Sequence, residues 1–142
     1  MKKMIWSCAA LALAFMAGVT ARSVAPAETV AYAAGSRVFE LRTYEAGEGK
    51  LDALHARFKN HTLRIFQKHG MTNVWYGKPM DAPMSQNTLI YMLAHESREA
   101  AKKSWDSFRM DPEWQKVAQE SGVGQVKVVS VFLEPTDYSP LK

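Results

Sequence analysis

From Val38 onward, hydrophobic and polar residues alternate between two periods. Val38-Phe39-Glu40-Leu41-Arg42-Thr43-Tyr44 is rich in β-branched and aromatic residues and ends at Gly47 and Gly49, so it predicts a strand. Successive strand side chains point to opposite sides. Phe39, Leu41 and Thr43 are expected on a helix-covered side, and Val38, Glu40, Arg42 and Tyr44 on the other. From Lys50 the period becomes 3.6, with Leu51, Leu54, Phe58, Thr62, Ile65, Phe66 and His69 in one stripe. Arg57, Lys59, Asn60, Arg64, Gln67 and Lys68 fall outside that stripe and are expected in solvent. Gly70 stops the helix.

Met71 to Tyr76 reads as a second strand. Gly77 to Asn87, with Pro79, Asp81, Pro83 and Ser85, reads as a long loop. Thr88 to His95 is a third strand, apolar on both sides and so expected to be covered on both. Glu96 and Ser97 open a second helical segment with Ala101, Trp105 and Phe108 inward. Asp111-Pro112-Glu113-Trp114 restarts a helix, because Asp111 can cap free N–H groups and Pro112 suits the first helical position. Trp114, Val117 and Ala118 form its inward side. Val126 to Leu133 is the last strand, again apolar on both sides, and Pro135 stops it.

The order is β-α-β-β-α-β, the ferredoxin-like arrangement of an α+β fold with a four-stranded antiparallel sheet. Two helices can cover only one side of such a sheet, yet its third and fourth strands are apolar on both. A second copy of the chain is the simplest cover, so a homodimer whose two sheets meet as an α/β barrel is expected.

The first residues have a different character. Lys2 and Lys3 precede an uncharged apolar run, Ile5 to Val19, and Val19-Thr20-Ala21 ends in small residues as a cleavage site does. Ala31-Tyr32-Ala33 is a second cleavage candidate. The run is shorter than the roughly 20 residues of a membrane-spanning helix. The expected organisation is a signal peptide over 1–21, a linker over 22–37 and a folded domain over 38–138. The protein is accordingly expected to be periplasmic or secreted, with no stable membrane span once the leader is removed; an uncleaved leader acting as an anchor is the rival. The single cysteine, Cys8, lies in the leader, so a cleaved chain has neither disulfide nor thiolate nucleophile. The formal charge of +4 falls to +2 when Lys2 and Lys3 are removed, since residues 1–21 contain no acid. Scattered basic residues at that net charge argue against a nucleic-acid partner.

Candidate chemistry is sparse. Arg42 beside Tyr44 can orient an anionic or carbonyl-bearing ligand, because a guanidinium presents a planar fork of donors. His61, at the edge of the helical stripe, can act as a base near neutral pH or as a ligand to a metal or haem. Trp75, Tyr91 and Trp105 can wall a flat apolar or aromatic ligand, though the same rings equally make a core. No histidine pair has i, i+4 spacing, and no phosphate loop or Gly-x-Ser-x-Gly elbow occurs, so neither metal nor nucleotide cofactor is expected.

Phe39-Glu40-Leu41-Arg42-Thr43-Tyr44, Gly49-Lys50, His69-Gly70, Trp105 with Phe108, and Asp111-Pro112-Glu113-Trp114 together resemble the NIPSNAP domain, from about Val38 to Tyr138. The resemblance implies the dimeric α/β-barrel superfamily, which includes cofactor-free monooxygenases, haem-dependent relatives and small isomerase-like enzymes. It assigns no reaction, since the family has none settled. Its better-known members reside in eukaryotic organelles, whereas this chain has an export leader. The expected function is a dimeric small-molecule-binding or cofactor-independent enzyme-like domain, with a closed cavity of a few hundred cubic ångströms holding one of the polar candidates. The alternatives are a non-catalytic periplasmic binding or assembly protein and, less favoured, haem binding through His61.

Overall fold

A computed structural model describes residues 37–142. The expected leader and most of the expected linker, residues 1–36, lie outside the described residues. Strands β1 (Val38–Ala46), β2 (Thr72–Gly77), β3 (Thr88–His95) and β4 (Val126–Leu133) form one antiparallel sheet in the order β2-β3-β1-β4. That order is the ferredoxin-like one, with β1 and β3 central. Three helical stretches lie on one side of it. The first is continuous: α1 (Leu51–Arg57), a π-helical turn (Phe58–Thr62) and α2 (Leu63–Lys68). The others are α3 (Arg98–Met110) and α4 (Pro112–Glu120).

The local chemistry explains the boundaries. Ser97 caps α3 by accepting the Ala100 N–H at 3.0 Å. Asp111 has an extended backbone, ending α3, and its side chain accepts the Glu113 N–H at 2.8 Å to start α4 with Pro112 as its first residue. Gly70, at φ +75°, reverses the chain after α2 in a conformation costly for any residue with a Cβ.

The core lies between helices and sheet. Leu54, Phe58, Ile65 and Phe66 meet Leu89, Tyr91 and Leu93 of β3 and Trp105 and Phe108 of α3. The stripe read from the sequence is therefore the buried one. The side assigned to β1 is reversed. Glu40, Arg42, Tyr44 and Ala46 face the helices, while Leu41 and Thr43 point to the open side. The reason is that the polar residues of β1 find partners under α3, as described below. Phe39 is buried despite facing away from the helices, beside the tail residues Pro135 and Leu141, with which it lines a cavity of about 230 Å³.

The open side is apolar. Val129, Val131 and Leu133 of β4 are 52%, 48% and 38% exposed, and Trp75 of β2 is 52% exposed. Their register places them on the same side as Leu41, Thr43 and Met92. Among the described residues, β4 is thus not covered on both sides. Among the described residues, no helix is long and apolar enough to cross a membrane.

Candidate functional site

Glu40 lies in the central strand with a side chain only 2% exposed, and four groups from four elements converge on it. Oε1 accepts Arg42 Nη1 at 2.5 Å and Ser130 Oγ at 2.6 Å. Oε2 accepts the Trp105 indole N–H at 2.7 Å and lies 3.0 Å from His95 Nε2. Burial alone would raise this carboxyl. The hydrogen bonds from His95, Ser130 and Trp105, with the charge of Arg42, outweigh it and hold the carboxyl at about 2. Glu40 is therefore ionised at neutral pH, and these donors offset the cost of burying its charge.

Arg42 extends from Glu40 across two aromatic rings. Its guanidinium lies 4.1 Å from the Trp105 ring centroid and 5.5 Å from that of Tyr44, and Nη2 reaches the Tyr44 hydroxyl at 3.5 Å. Burial disfavours its charge, but the neighbouring Tyr44 and Tyr91 hydroxyls and Glu40 carboxylate more than restore it.

The second guanidinium was not foreseen. Arg57 is expected in solvent from its helical phase, yet it is 6% exposed and lies 5.1 Å from the Trp114 ring centroid. Arg57 lies one turn after the buried Leu54, on the flank of the helix against which Trp114 of α4 packs, and a π turn begins at the next residue. Thr62, 1% exposed, donates its hydroxyl to the Arg57 carbonyl at 3.2 Å within that turn. Among the described residues no carboxylate pairs with Arg57. Burial pushes its guanidinium below the ordinary value, with Tyr44 and Tyr91 opposing.

Several polar atoms in this layer are buried without a hydrogen bond: Arg42 Nε, Arg57 Nε, the Tyr91 hydroxyl and His95 Nδ1. Such orphans are uncommon in folded proteins and call for a reason.

Of the six candidates named from sequence, Arg42, Tyr44, Tyr91 and Trp105 come together here. Trp75 is on the opposite side of the sheet. His61 is exposed, on a groove of about 480 Å³ with Glu113, Lys116, Val117, Glu120 and Ser121. That groove, mostly charged and polar, offers a haem few apolar walls. Among the described residues, the closed cavity expected around the candidates is not formed. Tyr91 is packed by Tyr44, Phe58 and Tyr76, with ring centroids 5.1, 5.1 and 5.4 Å away. Concave surfaces lie elsewhere, at His61, beside the tail, and around Arg37, Arg98 and Phe132. What remains accessible is a rim: the Arg42 side chain is 14% exposed, and Ser130 and Val128 of β4 are open beside it. Glu40, Arg57 and Ser130 are members of the site that the sequence does not single out as candidates. The alternation of β1 placed Glu40 and Arg42 together, and only the covered side was misjudged.

Comparison with known proteins agrees with this architecture. A NIPSNAP family protein of unknown function from Agrobacterium tumefaciens is 19% identical, with a TM-score of 0.67 over 75% of this chain and 95% of its own. A NIPSNAP-like domain protein from Burkholderia xenovorans is 17% identical, with a TM-score of 0.65 over 74% of this chain and 90% of its own. SnoaB, a cofactor-independent oxygenase from Streptomyces nogalater, is 10% identical, with a TM-score of 0.53 over 75% of this chain and 99% of its own, and is similar in fold. No curated protein matches at a significant level. The NIPSNAP family model spans residues 39–140, from the strand that bears Glu40 and Arg42 to the tail that covers Phe39, so the chain belongs to the NIPSNAP family.

Proposed function

We propose that this protein is an exported, homodimeric domain that binds a small molecule against the helix–sheet layer of each subunit. The carrying observation is the group of Glu40, Arg42, Arg57 and His95, buried together with four of their and Tyr91's polar atoms unpaired. Charges in an interior cost stability that well-packed apolar residues would not. Perturbed titratable groups gathered in one place are more often found where a ligand or a reaction uses them. The ligand approaches the rim at Arg42 and rests its apolar part on neighbouring indoles. SnoaB's being a cofactor-independent oxygenase makes an enzyme-like role compatible with the fold, and the present residues assign no reaction.

The dimer forms through the open side of the sheet, with Val129, Val131 and Leu133 covered by their copies. The same strip favours a second reading, a non-catalytic assembly protein whose partner covers it. Native mass spectrometry of the purified mature protein tests both: a dimer carrying a co-purified small molecule supports the first reading. A ligand-free monomer that captures another periplasmic protein supports the second. The mass of the mature N-terminus reports whether the leader is removed.

A further inference from the structure

Outside the helix–sheet layer, one cluster joins a hydroxyl, an imidazole and a carboxylate. We infer that Ser107, His69 and Asp111 form a surface acyl-transfer site in which Ser107 Oγ is the nucleophile toward small activated esters, His69 its base and Asp111 the residue that positions the base.

Three helix ends bring the groups together. His69 is the residue at which α2 stops, Ser107 lies in the last turn of α3, and Asp111 joins α3 to α4. His69 Nε2 lies 2.6 Å from Asp111 Oδ2. On the other edge of the ring, Nδ1 lies 2.8 Å from Ser107 Oγ. Phe108 meets the imidazole edge to face, with centroids 6.2 Å apart, and fixes its plane. Hydroxyl, imidazole and carboxylate thus stand in one chain of contacts. That arrangement recurs at acyl-transfer sites of unrelated folds and is recognised by geometry and roles, not by sequence order.

Charge decides where the protons lie. The Asp111 side chain is buried and ionised, because the hydrogen bonds of Lys68 and then His69 hold its carboxyl well below the usual range. A carboxylate only accepts, so it takes the Nε2 proton and leaves the neutral ring with a bare Nδ1. That nitrogen faces Ser107 as an acceptor. A helical serine ordinarily gives its proton to a carbonyl one turn back, and Ser107 has such a carbonyl at Ser104, 3.1 Å away. Nδ1 is the nearer of the two acceptors. Ser107 is exposed while the His69 side chain is largely covered, so an ester reaches the oxygen without displacing the base.

In the reaction, Oγ bonds to the acyl carbon as its proton passes to Nδ1. The ester C–O bond then breaks, and the leaving oxygen takes that proton back from Nδ1. Water attacks the acyl carbon next, sends one proton through Nδ1 to Oγ, and releases the acid. On an open surface the developing oxyanion is met by solvent more than by fixed donors, which confines the substrates to esters with good leaving groups.

A fluorophosphonate bonds to an activated serine oxygen and loses fluoride, so it tests the nucleophile in the intact protein. Peptide mass mapping should place the phosphonyl group on Ser107, formed at least about tenfold faster than on any other serine. No label at Ser107 overturns the inference. Ser107→Ala changes an exposed side chain and should keep the fold; it should release 4-nitrophenol from 4-nitrophenyl acetate about tenfold or more slowly than the wild type. Equal release by the two proteins overturns it as well. Nitrogen-15 NMR of the imidazole reads the tautomer directly: the proton belongs on Nε2, and finding it on Nδ1 would leave Ser107 without a base. Asp111→Asn, measured well below its melting midpoint, presents an amide N–H to Nε2. It should move the ring proton to Nδ1 and slow the labelling of Ser107 by about tenfold or more. A purely structural Asp111 would leave the tautomer and the labelling rate as they are in the wild type, and that result removes the site.

Discussion

The indole N–H of Trp105 donates to Glu40 Oε2 at 2.7 Å, joining the middle of α3 to the central strand across 65 positions of sequence. That bond and the stacking of Arg42 on the same indole make Trp105 a shared wall of the charged layer. Removing the charge that organises it is the most direct test. Glu40→Gln keeps the shape but leaves Arg42 buried without its counter-ion. Breaking a buried pair in this way costs roughly 3–5 kcal/mol, and urea denaturation of the variant should show a loss of that order. A loss below about 1 kcal/mol would mean that the network contributes nothing beyond ordinary surface pairing.

The same carboxyl sets a pH dependence. Its folded value of about 2 lies below the ordinary 4.5, so its contribution is fully present above pH 4.5 and is lost as pH falls toward 2. The size is on the order of 3 kcal/mol. Asp111 adds to the same acid limb, because Lys68 and then His69 hold its carboxyl well below its usual range. Stability measured from pH 6 down to pH 2.5 should therefore fall less steeply in Glu40→Gln than in the wild type. Parallel curves would show that Glu40 does not titrate as its surroundings require.

Asp111 fastens the end of α2 to the start of α4. One oxygen caps α4 at Glu113 N, while the other lies 2.7 Å from Lys68 Nζ and 2.6 Å from His69 Nε2. Asp111→Asn keeps a cap but gives up the ionic contacts, whereas Asp111→Ala gives up both. The expected order of thermal midpoints is wild type, Asn, Ala, with the Ala variant losing about 2 kcal/mol or more. Equal loss in the two variants would assign the whole effect to the cap-independent contacts.

The open side of the sheet predicts an association that a single charge can break. Val131 is 48% exposed in the single chain, so Val131→Asp should fold with an unchanged circular dichroism spectrum. Buried against a copy of itself, the same carboxylate is opposed by desolvation and by its own symmetry mate. Sedimentation should report a dimer for the wild type and a monomer for Val131→Asp at micromolar concentration. Wild-type monomers would remove the homodimer.

The elements were legible in the sequence, and their environment was only partly so. Thr88–His95 and Val126–Leu133 have the same bounds by pattern and by structure, because β-branched runs between breakers leave few alternatives. The stripe from Leu51 to Phe66 was equally clear. Alternation tells which residues of β1 share a side, but it does not tell which side the helices take. Glu40 and Arg42 looked outward because buried charge is costly, and the groups that offset that cost lie 55, 65 and 90 positions away at His95, Trp105 and Ser130. Arg57 sits at the margin of the stripe, and the group it packs on is Trp114, far along the chain on α4, a contact that no local pattern shows.

The wider π turn of Phe58–Thr62 leaves the first helix with a spare residue. Elsewhere in a helix, excising one position rotates everything beyond it by about 100° and would swing Ile65 and Phe66 out from under the sheet. Within Phe58–Thr62, taking out solvent-facing Lys59 or Asn60 instead lets the coil tighten to its normal pitch while the segments before and after keep their bearing. The chain can shorten at this point, beside Arg57, and nowhere else along the helix without turning its core.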